Sequence, residues 1–162
     1  MHDAAHGLRT SRTGAQPADG VPWAVALNET AASDEIEVTL LAFAVVDDLV
    51  RVSGLVRVLR RPDVRLASVP TLALATLDGP PLALVGAHVM PHGRVLWVSW
   101  IYQRPADILV EYDGRIDHFE LTYRAGGIVR ETAPGPWVFS FRIPGRAQPN
   151  GMSQPVSSGG DA

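Results

Sequence analysis

The segment Glu35–Leu59, EIEVTLLAFAVVDDLVRVSGLVRVL, holds two apolar runs around an Asp-Asp pair, and its reading decides the fold. If Asp47 and Asp48 form a two-residue hairpin loop, Val46 pairs with Leu49, Val45 with Val50 and Phe43 with Val52, and the last two pairs share a core face. Beyond Gly54 a regular register fails. It would put Glu37 and Thr39 in the core beside Val58 and Val56, and leave Ile36, Val38, Leu40, Leu55 and Leu59 outside. One extra residue in the first strand, with Leu40 and Leu41 both opposite Gly54, repairs the pattern. Val38 then faces Val56 and Ile36 faces Val58 inside, while Glu37 meets Arg57 outside. The sequence therefore predicts a β-bulge at Leu40–Leu41, opposite a glycine of the kind that marks irregular strand sites. The outer face becomes Glu37, Thr39, Ala42, Ala44, Arg51, Ser53, Leu55 and Arg57, a mixed surface that can stand in water.

The same period-two alternation recurs along the chain. PWVFSFRIP puts Trp137, Phe139, Phe141 and Ile143 on one face, and DHFELTYR turns Phe119, Leu121 and Tyr123 one way and His118, Glu120, Thr122 and Arg124 the other. Further strands are expected at Thr71–Leu77, Leu82–Met90, Arg94–Tyr102 and Ile108–Tyr112. Turns are expected at Asp78–Pro81, Pro91–Gly93, Gln103–Ala106 and Asp113–Gly114, and in the glycine pair of RAGGIVR. No stretch sustains 3.6-residue apolar spacing with helix caps, and no internal repeat is present. The expectation is an all-β antiparallel β-sandwich, immunoglobulin-like in size, with about seven to nine strands. It spans residues 21–145, between a disordered N-terminal tail (1–20) and a disordered C-terminal tail (146–162) whose Gly, Ser, Pro and Gln cannot bury enough surface to order.

Composition narrows the function classes. With 162 residues, 46% hydrophobic and 19% charged, the chain is of one-domain size. A formal net charge of −3 gives no broad basic face for nucleic acid or an anionic membrane. The absence of cysteine excludes disulfides, thiolate nucleophiles and cysteine-held metal. No apolar leader or 18-residue apolar window is seen, so a cytoplasmic location is the expectation. The sequon at Asn28–Thr30 would matter only in a glycosylating pathway.

Four groups of residues are candidates for chemistry. RVLWVSWIYQRP, Arg94–Pro105, carries Trp97 and Trp100 at opposite parity, so their rings leave opposite faces of the sheet. Trp100 belongs to the core row Leu96, Val98, Trp100 and Tyr102, apolar until its last member; Trp97, in the row Val95, Trp97, Ser99 and Ile101, lies outside, where it can stack on a sugar or a partner's side chain. The preferred reading has VPWAVAL lying across the sheet as an extra strand and covering Trp97, because partial burial is usual for tryptophan. His118 and Glu120 share a strand face about 7 Å apart at Cα, close enough to converge on a proton, beside Asp113 and Asp117. Without a nucleophile motif such as G-x-S-x-G they read as a solvated face with Arg124. Arg57, Arg60, Arg61 and Arg65 surround Asp63 and could meet a phosphate or acidic partner, or simply form a polar loop. His88 and His92, about 13 Å apart on a strand, are too distant to share a metal ion.

No catalytic, metal or cofactor site is expected. The functional expectation is a non-catalytic module that binds a protein partner or assembles as a homo-oligomer, with neither nucleic acid nor membrane as partner. A carbohydrate-binding sandwich using Trp97 is the alternative, and a small hydrolase or isomerase at His118 and Glu120 the third.

Overall fold

The computed structural model describes residues 9–10, 21–61, 63–76 and 79–145. The described residues contain strands and no helix. They run β1 (Arg9–Thr10), β2 (Trp23–Ala32), β3 (Ile36–Val46), β4 (Leu49–Val58), β5 (Arg65–Leu66), β6 (Ala73–Thr76), β7 (Leu84–His92), β8 (Val95–Gln103), β9 (Glu111–Arg124) and β10 (Ile128–Arg142). One antiparallel sheet has the order β2-β3-β4-β8-β7, with β1 added in parallel along β2; in the other, β9 lies between β10 on one side and β5 and β6 on the other. Apart from Arg9–Thr10, the expected tails lie outside the described residues.

The β3–β4 hairpin has the register derived above. Val46 pairs with Leu49, Leu40 with Gly54 and Ala42 with Ser53, so Leu41 is the extra residue. Asp47 takes a positive φ of 54°, as a two-residue loop requires. Beyond the bulge Val38 meets Val56 and Ile36 meets Val58. Ile36, Val38 and Leu40 are fully buried. Outside, Arg57 and Glu37 approach to 3.8 Å. Gly54 is needed for more than the bulge: a Cβ there would lie 2.9 Å from the Thr39 carbonyl oxygen and 3.1 Å from Trp100 Cζ3.

The core lies between the inner faces of the two sheets, and its large aromatics use their polar ends to tie those sheets together. Trp100 Nε1–H donates to the Pro70 carbonyl at 2.9 Å, the Tyr102 hydroxyl to Leu72 at 2.6 Å, and Trp137 Nε1–H of the smaller sheet to Ile36 of the larger at 3.1 Å. A buried ring with an unmet N–H or O–H would lose about 1–3 kcal/mol, so these bonds decide which way each ring can face. Among the described residues no buried side-chain polar atom lacks a partner. Phe43 packs on Tyr112 at 5.2 Å between ring centres, and Phe119 meets Trp137 edge-on at 4.7 Å.

Three expectations change. Asp113–Gly114 is not a turn: β9 runs unbroken through it, pairing Asp113 with Ser140 and Gly114 with Phe139. The Ser140 hydroxyl bonds Asp113 at 2.8 Å, and a Cβ at Gly114 would stand 3.2 Å from Leu72 Cδ1, so this glycine serves close packing. β10 begins at Ile128, well before the expected PWVFSFRIP. VPWAVAL lies alongside β3 as strand β2 rather than across the sheet, with Trp23 opposite Val45 and only 4% exposed.

Candidate functional site

The outer face of the larger sheet follows directly from register. Thr39 pairs with Leu55, Leu55 with Trp97 and Trp97 with Met90, so these four side chains form one row across β3, β4, β8 and β7. Trp97 is 47% exposed and Met90 68% exposed. This corrects the expectation that β2 covers Trp97: β2 is hydrogen-bonded at the sheet's other side, with β3 and β4 between it and β8. Trp100, three residues on, is fully buried, as its opposite parity requires. Flanking rows place Arg57, Val95 and His92 on one side of Trp97, and Ser53, Ser99 and His88 on the other. The face is apolar at its centre and polar around it.

The second candidate is on the outer face of the smaller sheet. β9 presents His118 and Glu120 on the same side, with His118 Nε2 3.3 Å from Glu120 Oε2. Thr132 of neighbouring β10 donates its hydroxyl to the same carboxylate at 3.1 and 3.2 Å. Arg115 and Asp117 pair separately at 2.6 Å. β5 and β6 both pair with β9 but leave its middle open, forming a shallow notch of about 170 Å³ bordered by Ser68, Thr71, His118 and Glu120. An imidazole oriented by a carboxylate can move a proton, but acyl transfer also needs a nucleophile within hydrogen-bond reach. Among the described residues His118 has Glu120 as its hydrogen-bonding or ionic partner and no hydroxyl. Arg124, further along the same face, is exposed beside the Gly126–Gly127 hairpin turn.

The arginine run does not act as one patch. Arg61 lies along the surface with its side chain 37% exposed, where it binds Glu35 through Nε and NH2, reaches Glu131 at 3.0 Å, and stacks over the Tyr123 ring at 5.1 Å. Hydrogen bonds to Glu131 and then Glu35 raise its already high pKa further. Arg61 therefore serves as a tie between the β3 entry, the β4 exit and β10. Arg57 is engaged by Glu37 on the outer face, and Arg60 is exposed. The two carboxylates that hold Arg61 lie 26 and 70 residues away in sequence, so no local pattern reveals the triad.

His88 and His92 both lie on β7, and no group of three or more His, Cys, Asp or Glu side chains among the described residues could hold a metal ion. Burial raises the Tyr102 hydroxyl far above the usual tyrosine range and pushes Tyr112 up to about 12, the latter also accepting the Leu109 N–H. Both are core groups. Among the described residues no helix is long and apolar enough to cross a membrane. No protein-family model matches the chain, and neither does any curated protein or solved structure.

Proposed function

We propose that the protein is a non-catalytic interaction module that docks another protein through the outer face of its larger sheet, with Trp97 and Met90 at the centre. The observation that carries this reading is that Trp97 and Met90 are direct cross-strand neighbours and both exposed, at 47% and 68%. Of the four tryptophans this one alone is spared from the core. Tryptophan and methionine are enriched where proteins meet, and a few such anchors carry most of an interface's energy. Around them Arg57 and Arg51 outnumber Glu37. A partner with an apolar centre and acidic rim therefore fits better than a second copy, whose arginines would face these. A cytoplasmic setting belongs to the same proposal, since the fold requires no disulfide. The likeness to the immunoglobulin class is one of size and two-layer antiparallel build, the meander β2-β3-β4 being this chain's own order.

The test is site-specific photo-cross-linking in cells of the native organism. A cross-linking residue at Met90 is expected to capture one defined protein, lost when Trp97 is changed to Ala; the same residue at Val138, exposed on the smaller sheet, should capture none. Capture from position 138 and not from 90 would contradict the proposal.

A second reading is favoured by one specific feature. Ser53, Ser99 and His88 lie one row from Trp97 and supply hydroxyl and imidazole hydrogen-bonding groups beside an exposed indole, which is the chemistry that holds a sugar ring. A glycan array read by Trp97 fluorescence tests it. Binding that Trp97→Ala removes would favour carbohydrate over protein.

A further inference from the structure

Charge is segregated along the sandwich, and a net charge of −3 conceals it. Cross-strand register sets the β2–β3 turn, the end of β4, the start of β8 and the end of β7 at one end of the molecule. Arg61, just past β4, reaches Glu131 and Tyr123, so the β9–β10 hairpin turn lies at that end too. Arg60, Arg65, Arg94, Arg124 and Arg130 are exposed there, against Asp34 and Asp63. Glu35 and Glu131 are taken up by Arg61. The opposite end exposes Asp47, Asp48, Asp107 and Glu111 beside Arg142. The expectation of no membrane partner rested on the net charge, which does not report where the charges lie.

Arg65, Arg124 and Arg130 share one surface with an exposed isoleucine. β5, β9 and β10 set Arg65, Thr122 and Arg130 in a single row across the outer face of the smaller sheet, about 10 Å wide. Arg124 lies two residues beyond Thr122 on the same face and pairs with Ile128. None of the three arginines forms an ion pair with another described residue. Glu120, the next acid along the face, is engaged by Thr132 and His118. Like charges side by side repel, so the row favours an anion. Between Arg124 and Arg130 the chain reads Ala-Gly-Gly-Ile-Val, without a polar side chain. Ile128 is 74% exposed, more than any other large hydrophobic residue described.

We infer that this end of the smaller sheet docks on an anionic phospholipid bilayer, with Arg65, Arg124 and Arg130 at the level of the lipid phosphates and Ile128 below them in the acyl boundary. Charge complementarity selects the sign of the occupant, and Ile128 selects its kind. An acidic or phosphorylated protein segment would meet the arginines and leave Ile128 in water. A bilayer takes up both, since guanidinium binds phosphate in a two-bond fork and an apolar side chain beside it enters the headgroup boundary. With one apolar anchor and a few cations, the attachment is reversible. The site lies on the other sheet from Trp97 and Met90, so either reading can fail without the other.

Vesicle co-sedimentation of the full chain tests it, with phosphatidylcholine alone and with phosphatidylcholine mixed with phosphatidylglycerol. Binding is expected to the mixed vesicles only, and to fall as salt shortens the reach of surface charge from about 10 Å at 0.1 M to about 3 Å at 1 M. Each arginine near an anionic surface strengthens binding about fivefold, so Arg124→Ala with Arg130→Ala should weaken it about 25-fold. Ile128→Ser should weaken it about tenfold and leave its salt dependence as it was. These side chains are exposed, and far-UV spectra should be unaltered. The chain has no cysteine, so a fluorescent label on Ile128→Cys reports that position alone. Its emission should shift to the blue on mixed vesicles, while a label on Asp48→Cys, at the opposite end, should not move. Trp97→Ala with Met90→Ser should bind as wild type does. Equal binding to both kinds of vesicle, no binding to the mixed ones, unchanged binding in the arginine variant, or a blue shift at position 48 and not at 128 would each overturn the assignment. A phosphoserine peptide that binds at Arg124 and Arg130 while mixed vesicles do not would overturn it too, in favour of a phosphorylated segment.

Discussion

Replacing Gly54 by alanine is expected to destabilise the fold, although alanine is ordinarily the better strand residue. The added Cβ would stand 2.9 Å from the Thr39 carbonyl oxygen and 3.1 Å from Trp100 Cζ3. Neither neighbour can yield easily: the carbonyl belongs to the bulged strand, and the indole is held by its bond to Pro70. Overpacking of this kind costs about 1–3 kcal/mol, offset by about 0.5–1 kcal/mol from losing glycine's flexibility. The net loss is about 1–2 kcal/mol, or on the order of 4–10 °C in Tm for a domain this size. Gly86 is the matched control on the edge strand, since a Cβ there would meet nothing within 4 Å. Gly86→Ala should be neutral or stabilise by up to about 1 kcal/mol. Thermal unfolding followed by circular dichroism, with urea midpoints as a check, measures both. If Gly54→Ala melts at or above the wild-type temperature, Gly54 is not pressed against Thr39 and Trp100, and the bulged register is refuted.

The two neighbouring tryptophans should separate cleanly by urea denaturation: Trp100→Ala should lose about 3–5 kcal/mol, and Trp97→Ala should stay within about 0.5 kcal/mol of wild type. Raising pH should destabilise the fold above pH 10. The native state keeps the Tyr112 proton up to about 12 while the unfolded chain releases it near the ordinary tyrosine value of about 10, so this stability is present below 10 and lost through 12. Urea midpoints taken from pH 9 to 12 should therefore fall less steeply in Tyr112→Phe. Arg61→Ala should lower Tm clearly more than Arg57→Ala, because Arg61 joins two carboxylates and a ring whereas Arg57 has one contact at 3.8 Å. Equal melting points would remove Arg61's role as a tie. His118→Ala should leave Tm unchanged within error, as an exposed pair contributes little.

The β3–β4 bulge was legible because both strands alternate strongly, so a single register error throws charges inward and leucines outward. Gly114 misled for a physical reason: Asp-Gly is the signature of a tight turn, but a glycine under Leu72 and Phe139 answers to packing, which only the tertiary fold reveals. The first half of β10 was hidden by Pro134, Gly135 and Pro136, residues that argue against a central strand. β10 is the sheet's edge, where a missing N–H breaks no ladder bond. For VPWAVAL, the alternation of Trp23, Val25 and Leu27 correctly signalled a strand. It does not say whether the strand lies across a sheet or beside it, and that distinction decided the exposure of Trp97. The parity of Trp97 and Trp100 was readable directly. The basic end and the Arg61 tie were not, since each joins residues far apart in sequence.

The functional reading stands on one tryptophan of four facing solvent. Iodide quenching of intrinsic fluorescence measures this directly in the intact chain, because a charged quencher reaches exposed indoles and not buried ones. Trp97, at 47% exposure, should supply the quenchable component, with Trp23, Trp100 and Trp137, at 4%, 0% and 2%, remaining protected. Trp97→Phe should abolish that component. Quenching that persists in Trp97→Phe, or a wild-type protein with no accessible component at all, would contradict the account.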